Sequence, residues 1–161
     1  MADKLQLQIE PQWENLEEVR NSTEKFLTAQ GVDINTVHAI TMVTCELTEN
    51  ATKYGDFAQQ AAPIEIAITL KPNVIVVEVV NPAGLAAEEH LMRLDEMVQW
   101  IRGFQDPFEA YLERLKEVSG QRLDSEESGL GLVRVAYEGQ SILDFYVNEK
   151  GMLAVSAMHS R

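Results

Sequence analysis

Glu46, Asn50 and Lys53 bring a carboxylate, a carboxamide and an ammonium together on the stretch Thr44-Cys45-Glu46-Leu47-Thr48-Glu49-Asn50-Ala51-Thr52-Lys53-Tyr54-Gly55. On a helix, at about 100° per residue, the three fall within an arc of about 60°. That set suits chemistry on a phosphate. The Asn50 amide oxygen can serve a Mg²⁺ held mainly by phosphate oxygens and water. Glu46, one turn earlier, can orient a hydroxyl nucleophile or accept its proton, and Lys53 can neutralise phosphate charge. The same residue types also occur on an ordinary solvated helix flank, so the pattern alone leaves both readings open.

The element that must position them is legible. Val37, Ile40, Leu47 and Tyr54, with Thr44 and Ala51 between, repeat at three- and four-residue steps and form the apolar stripe of a helix. Asp33 or Asn35 is placed to cap its start and Gly55 its end. A second motif, Ser128-Gly129-Leu130-Gly131-Leu132, opens another apolar helix. Small residues and free backbone N–H groups at a helix N-terminus favour anions.

Taken in order, the two motifs resemble the N-box and the second glycine box of the histidine-kinase-like ATPase superfamily, the GHKL or Bergerat-fold proteins, over residues 33–160. The resemblance implies ATP and Mg²⁺ as cofactors. It implies Glu46 as the catalytic glutamate, Asn50 as the Mg²⁺ ligand, and Ser128, Gly129, Leu130, Gly131 and Leu132, with Lys53, around the triphosphate. Relatives carry D-x-G-x-G in the first glycine box, where this chain has Asn81-Pro82-Ala83-Gly84-Leu85. Asn81 then stands where an aspartate accepts from the adenine amino group, with Ala83 and Gly84 beside the nucleotide, and Ser156 where relatives place a hydroxyl near adenine. A neutral acceptor at Asn81 costs about 1 kcal/mol relative to a charged one. Ala83 and Leu85 in place of glycines add on the order of 1 kcal/mol each if positive φ is required. The expectation is ATP binding weakened by about a hundredfold, with Asn81→Asp tightening it by about tenfold or less.

Within the superfamily this short chain is most similar to the bacterial anti-sigma-factor serine/threonine kinases, which implies phosphorylation of a serine on a STAS-domain antagonist and exchange between that antagonist and a sigma factor. None of His38, His90 and His159 is placed as a phosphoacceptor, which sets sensor histidine kinases aside. The altered first glycine box supports a rival of another class, a non-catalytic binding module whose nucleotide site has decayed.

The formal net charge of −13 argues against nucleic-acid or anionic-membrane surfaces and favours basic partners. One cysteine, Cys45, excludes an internal disulfide framework and suits a reducing cytoplasm as a small buried or half-buried filler. No signal-like block and no membrane-length apolar run is present, so a soluble cytoplasmic protein is expected.

The remaining chain supplies the frame. Leu5, Leu7 and Ile9 alternate as a strand, Leu16 to Leu27 has helical spacing up to Gly31, and Trp13 reads as a staple against that helix or as a binding aromatic. Ile64–Leu70 and Val74–Val80 are strands joined at Lys71-Pro72-Asn73, and Ile142–Val147 and Met152–Met158 are strands joined at Asn148-Glu149-Lys150-Gly151. Residues 86–118 read as two helices with an elbow near Gly103 and a new start at Asp106-Pro107. Their apolar residues from Leu94 to Val118 fit a heptad seam, which packs internally or forms a homodimer or partner surface. The element order predicts one α+β domain over residues 1–161. This is a two-layer α/β sandwich with an antiparallel-dominated mixed sheet, helices on one face and a helical lid insertion over about 85–128.

Overall fold

The computed structural model describes residues 3–55, 57, 62–83, 88–118 and 130–161. Strand β1 (Lys4–Ile9) is followed by a short 3₁₀ turn at Trp13–Asn15, helix α1 (Leu16–Ala29) and helix α2 (Ile34–Tyr54). Then come β2 (Ile64–Leu70), β3 (Val74–Pro82), α3 (Glu88–Arg102), α4 (Pro107–Val118), α5 (Leu130–Tyr137), β4 (Ser141–Val147) and β5 (Met152–Ser160).

The strands form one sheet in the order β1-β2-β3-β5-β4. Each pairing among the described strands is antiparallel, so the antiparallel character expected of the sheet is complete there. The period-2 alternation sorts the side chains into two faces. On one face Ile66 stands opposite Val79 and Ile68 opposite Val77, and these continue to Val155 and Ala157 of β5. All six are buried and share one core with Ile40, Val43 and Leu47 of α2. Each such valine, leucine or isoleucine side chain contributes roughly 1.5–3 kcal/mol by leaving water. The other face carries Glu78, Ser156 and Asp144 in a single cross-strand row. The result is an α+β sandwich with α2 laid along the core face of the sheet.

Helix α2 begins where Asp33 accepts from the Thr36 backbone N–H at 3.0 Å and from its hydroxyl at 2.7 Å. These bonds hold the Asp33 carboxyl below its usual range. Thr44 and Thr48 lie fully buried within the apolar stripe, and their hydroxyls donate to the carbonyls of Ile40 and Thr44, one turn back. This local bonding lets small polar residues sit in the core without an orphaned donor. Cys45 is buried as expected, and burial pushes its thiol up. The helix stops at Tyr54 with the Gly55 N–H on the Ala51 carbonyl. Gly55 is extended, not left-handed; an added Cβ would crowd the Ala51 carbonyl at 2.8 Å and the Phe57 ring.

Helices α3 and α4 meet at the expected elbow. Asp106 Oδ1 accepts from the Phe108 N–H at 3.0 Å and starts α4. Leu94, Val98, Ile101 and Ala110 are buried in the same core as the sheet. The rings of Phe108 and Tyr111 lie 5.1 and 5.2 Å from that of Tyr137 on α5. Much of the heptad seam is therefore covered within the chain, while Phe108 and Leu112 each keep 39% exposure. The side chains of Leu115 and Val118 lie outside the described residues. Trp13 is half exposed in its 3₁₀ turn. Among the described residues no helix is long and apolar enough to cross a membrane.

Candidate functional site

The edge of α2 that carries Glu46, Asn50 and Lys53 grades from core to solvent. Glu46 and Asn50 are half-buried and Lys53 is exposed. The α5 helix closes on this edge at Glu46. Its one charged residue, Arg134, donates from Nη1 to Glu46 Oε1 at 2.9 Å and from Nε to Glu138 Oε2 at 3.0 Å. Gly131, one turn before Arg134 on α5, stands against the other oxygen of the same carboxylate: a Cβ built there would overlap Glu46 Oε2. The two motifs, more than eighty residues apart in sequence, thus meet at one carboxylate.

The electrostatics of Glu46 are contested. Burial is the largest influence and pushes its pKa above the ordinary carboxylate value. Glu49 pushes the same way, while Arg134 and then Lys53 oppose it, and Glu138 adds a small upward push. Partial burial works against the charged form of Arg134, but Glu138 and then Glu46 more than offset it, and the pKa of the guanidinium rises. The net effect is a poised carboxylate: ionisation is disfavoured by its surroundings yet anchored by a guanidinium.

Asn81 lies at the end of β3 on the core face, 2% exposed, and its side-chain NH₂ donates to the Pro82 carbonyl at 2.9 Å. Ala83 follows, also buried, with its N–H on the Gly151 carbonyl at 2.9 Å. Leu132 is half-buried and packs on the core. Ser156 is not brought to this side. Its neighbours Val155 and Ala157 point into the core, so Ser156 points to the opposite face, between Glu78 and Asp144. Leu130 is the first residue of α5, and its side chain lies outside the described residues, as do Gly84, Ser128 and Gly129 entirely.

Arg134 is the residue that sequence reasoning missed. Its signal was present, a lone cation inside the otherwise apolar run from Leu130 to Tyr137, but only the fold shows that it faces Glu46.

Among the described residues no group of three or more His, Cys, Asp or Glu side chains is arranged to hold a metal. A single amide oxygen such as that of Asn50 suits Mg²⁺ carried in by phosphate oxygens and water, and no caged ion.

Gly131→Ala tests the crowding at Glu46. Because the overlapped atom is the tip of a flexible side chain, the carboxylate will swing away and the stability change will stay within about 1 kcal/mol, offset by the better helix propensity of alanine. The Glu46–Arg134 pair will be lost, which a crystal structure of the variant reads directly. An unmoved carboxylate with an intact 2.9 Å contact would contradict it.

No family model matches the chain, and no curated protein sequence matches it. Among solved structures the chain is similar to a chain of the SiaB-SiaC complex from Pseudomonas aeruginosa, with a TM-score of 0.70 and 20% identity, over 96% of this chain and 88% of that one. At that identity the likeness establishes a shared fold that runs through nearly the whole of both chains.

Proposed function

We propose that this chain is a cytoplasmic ATP-dependent protein serine kinase of the GHKL type, acting on a STAS-domain antagonist in a partner-switching pathway that controls a sigma factor. The observation that supports it best is the meeting of Glu46 with Gly131 and Arg134 at one half-buried point, which joins the two motifs on which the resemblance rests. A structural likeness to a chain of a two-protein complex supports a protein partner. The net charge of −13 favours a basic docking surface on that partner.

In this reading Asn50 would hold Mg²⁺ through its amide oxygen, and Mg·ATP would supply the phosphoryl group to the serine, with ADP as the leaving group. Glu46 accepts the proton of the incoming serine hydroxyl. Its half-buried setting keeps its basicity above that of a solvated carboxylate. Lys53, exposed one turn beyond Asn50, neutralises phosphate charge at the outer end of the edge. Backbone N–H groups at the start of α5 would face the phosphates, with Gly131 as the described member of that glycine box.

Asn50→Ala should abolish Mg²⁺-dependent nucleotide binding while leaving the fold intact, measured by calorimetric titration with ATP in the presence and absence of Mg²⁺. Equal binding by wild type and variant would remove Asn50 from the site.

A second reading, a binding module without nucleotide chemistry, is favoured by one observation. Asn81 is buried with its NH₂ committed to Pro82, and Ala83 fills a core position beside it. Titration of wild type with Mg·ATP separates the readings, followed by transfer of labelled phosphate to a co-encoded STAS-domain protein. Binding with transfer to serine supports the kinase; no binding at millimolar ATP supports the module.

A further inference from the structure

Burying a carboxylate without fixing it leaves a base that is neither reliably charged nor aimed, and Glu46 is half-buried with another carboxylate, Glu49, one turn along its own helix. Among the described residues the charged groups that face it are few. On α2 they are Glu49 and Lys53; from α5 comes Arg134, and from the residue just past the end of α5, Glu138. Of the two cations, Arg134 makes the contact, with Nη1 on Oε1 at 2.9 Å.

Arg134 is itself held from a second side. Its Nε donates to Glu138 Oε2 at 3.0 Å, an i,i+4 pair at the end of α5, so two donors of one rigid fork point at two carboxylates. With Oε1 held by the guanidinium and Oε2 lying against Gly131, where an added Cβ would displace it, both oxygens of Glu46 are placed by one turn of α5.

We propose that Arg134 is a positioning residue for the phosphotransfer base: together with the clearance at Gly131, it seats the Glu46 carboxylate in one orientation, ion-paired, for the incoming hydroxyl. This rests on the kinase reading for its catalytic consequence, and on the ion pair alone for the seat. Arg134 acts through Glu46 and forms no bond in the reaction. Glu138 orients the guanidinium and ranks below it, because it is exposed and lies only four residues along the chain from Arg134.

The seat and the activity are measured separately. Selectively ¹³C-carboxyl-labelled glutamate, with the Glu46 resonance assigned by Glu46→Gln, reports the Glu46 titration in the protein without nucleotide. Arg134→Met keeps the aliphatic stem that packs on the helix and removes the charge; Arg134→Lys returns a charge without the fork. The expected result is a Glu46 midpoint shifted upward in Arg134→Met and largely restored in Arg134→Lys. Phosphotransfer should fall about 10–100-fold at neutral pH in Arg134→Met, the usual cost of losing an orienting partner. KM for ATP should hold, and the acid limb of the pH–rate profile should move up with the carboxyl midpoint. A midpoint and an acid limb both unchanged in Arg134→Met would overturn the proposal. Wild type that transfers no phosphate, with the midpoint still displaced in the variant, would overturn the kinase reading and leave the seat standing.

Discussion

Glu46→Gln will retain Mg·ATP binding and lose serine phosphotransfer by about 10²–10⁴-fold, the span that a positioned general base supplies. The substitution keeps the size and one hydrogen-bonding oxygen of the side chain and removes its charge and its basicity. Arg134 keeps Glu138 as its second partner, so the guanidinium is not stranded. The fold should not suffer, and the direction of the Glu46 shift says why. Its folded pKa is raised above the unfolded value, chiefly by burial. Stability from such a group is fully present below the unfolded pKa, and is lost as pH rises through the folded one. At neutral pH Glu46 is therefore on the costly side of its titration, and glutamine does not titrate. Urea denaturation should find Glu46→Gln as stable as wild type or more so at pH 7, with the advantage shrinking toward acid. Wild-type kinetics should show an acid limb above the ordinary carboxylate range, absent from whatever activity the variant retains. Full transfer by Glu46→Gln would remove Glu46 from the chemistry.

The α2 edge was readable because everything it needs is local. A capping Asp33, an apolar stripe and three polar residues at helical spacing determine which side chains share a face, before any tertiary contact forms. The five strands were readable for a similar reason, since β-branched alternation reports both the strand and its buried face. The position of Ser156 follows from that same alternation once Val155 and Ala157 are known to face α2. The resemblance took it by its place in the order of motifs, which carries no information about the phase of the strand. Arg134 was unreadable in a stronger sense. Nothing in a sequence says that a cation on α5 will find a carboxylate on α2, because that pairing depends on how two helices cross over a shared sheet. The seam along α3 and α4 was visible as a long apolar repeat, but its mate was not. The structure supplies Tyr137 and the common core for much of it.

Asn81→Asp should cost about 3 kcal/mol of folding stability at pH 7, the scale of a buried charge left without a partner. The sequence alone favours this substitution, because an aspartate would be a stronger acceptor for an adenine amino group. The structure adds a term of opposite sign. Asn81 is 2% exposed, and its NH₂ donates to the Pro82 carbonyl at 2.9 Å. An ionised aspartate has no donor to offer there and would direct a carboxylate oxygen at a carbonyl oxygen, in a place that water does not reach. The introduced carboxyl would escape by staying protonated, since its O–H could donate to Pro82 as the amide does. Its folded pKa would then rise above the unfolded value. By the same linkage as for Glu46, the variant keeps its stability below the unfolded aspartate pKa and loses it as pH rises through the folded one. Denaturation midpoints should converge with those of wild type near pH 4 and separate toward pH 8, using the ordinary aspartate pKa of about 3.9 as the lower mark. A variant as stable as wild type across that range would mean that the Pro82 contact carries no weight. If Asn81→Asp also binds Mg·ATP more tightly while losing stability, the amide oxygen of Asn81 faces the nucleotide and the exchange trades fold for affinity. If it loses stability without gaining affinity, Asn81 serves the end of β3 and not the base.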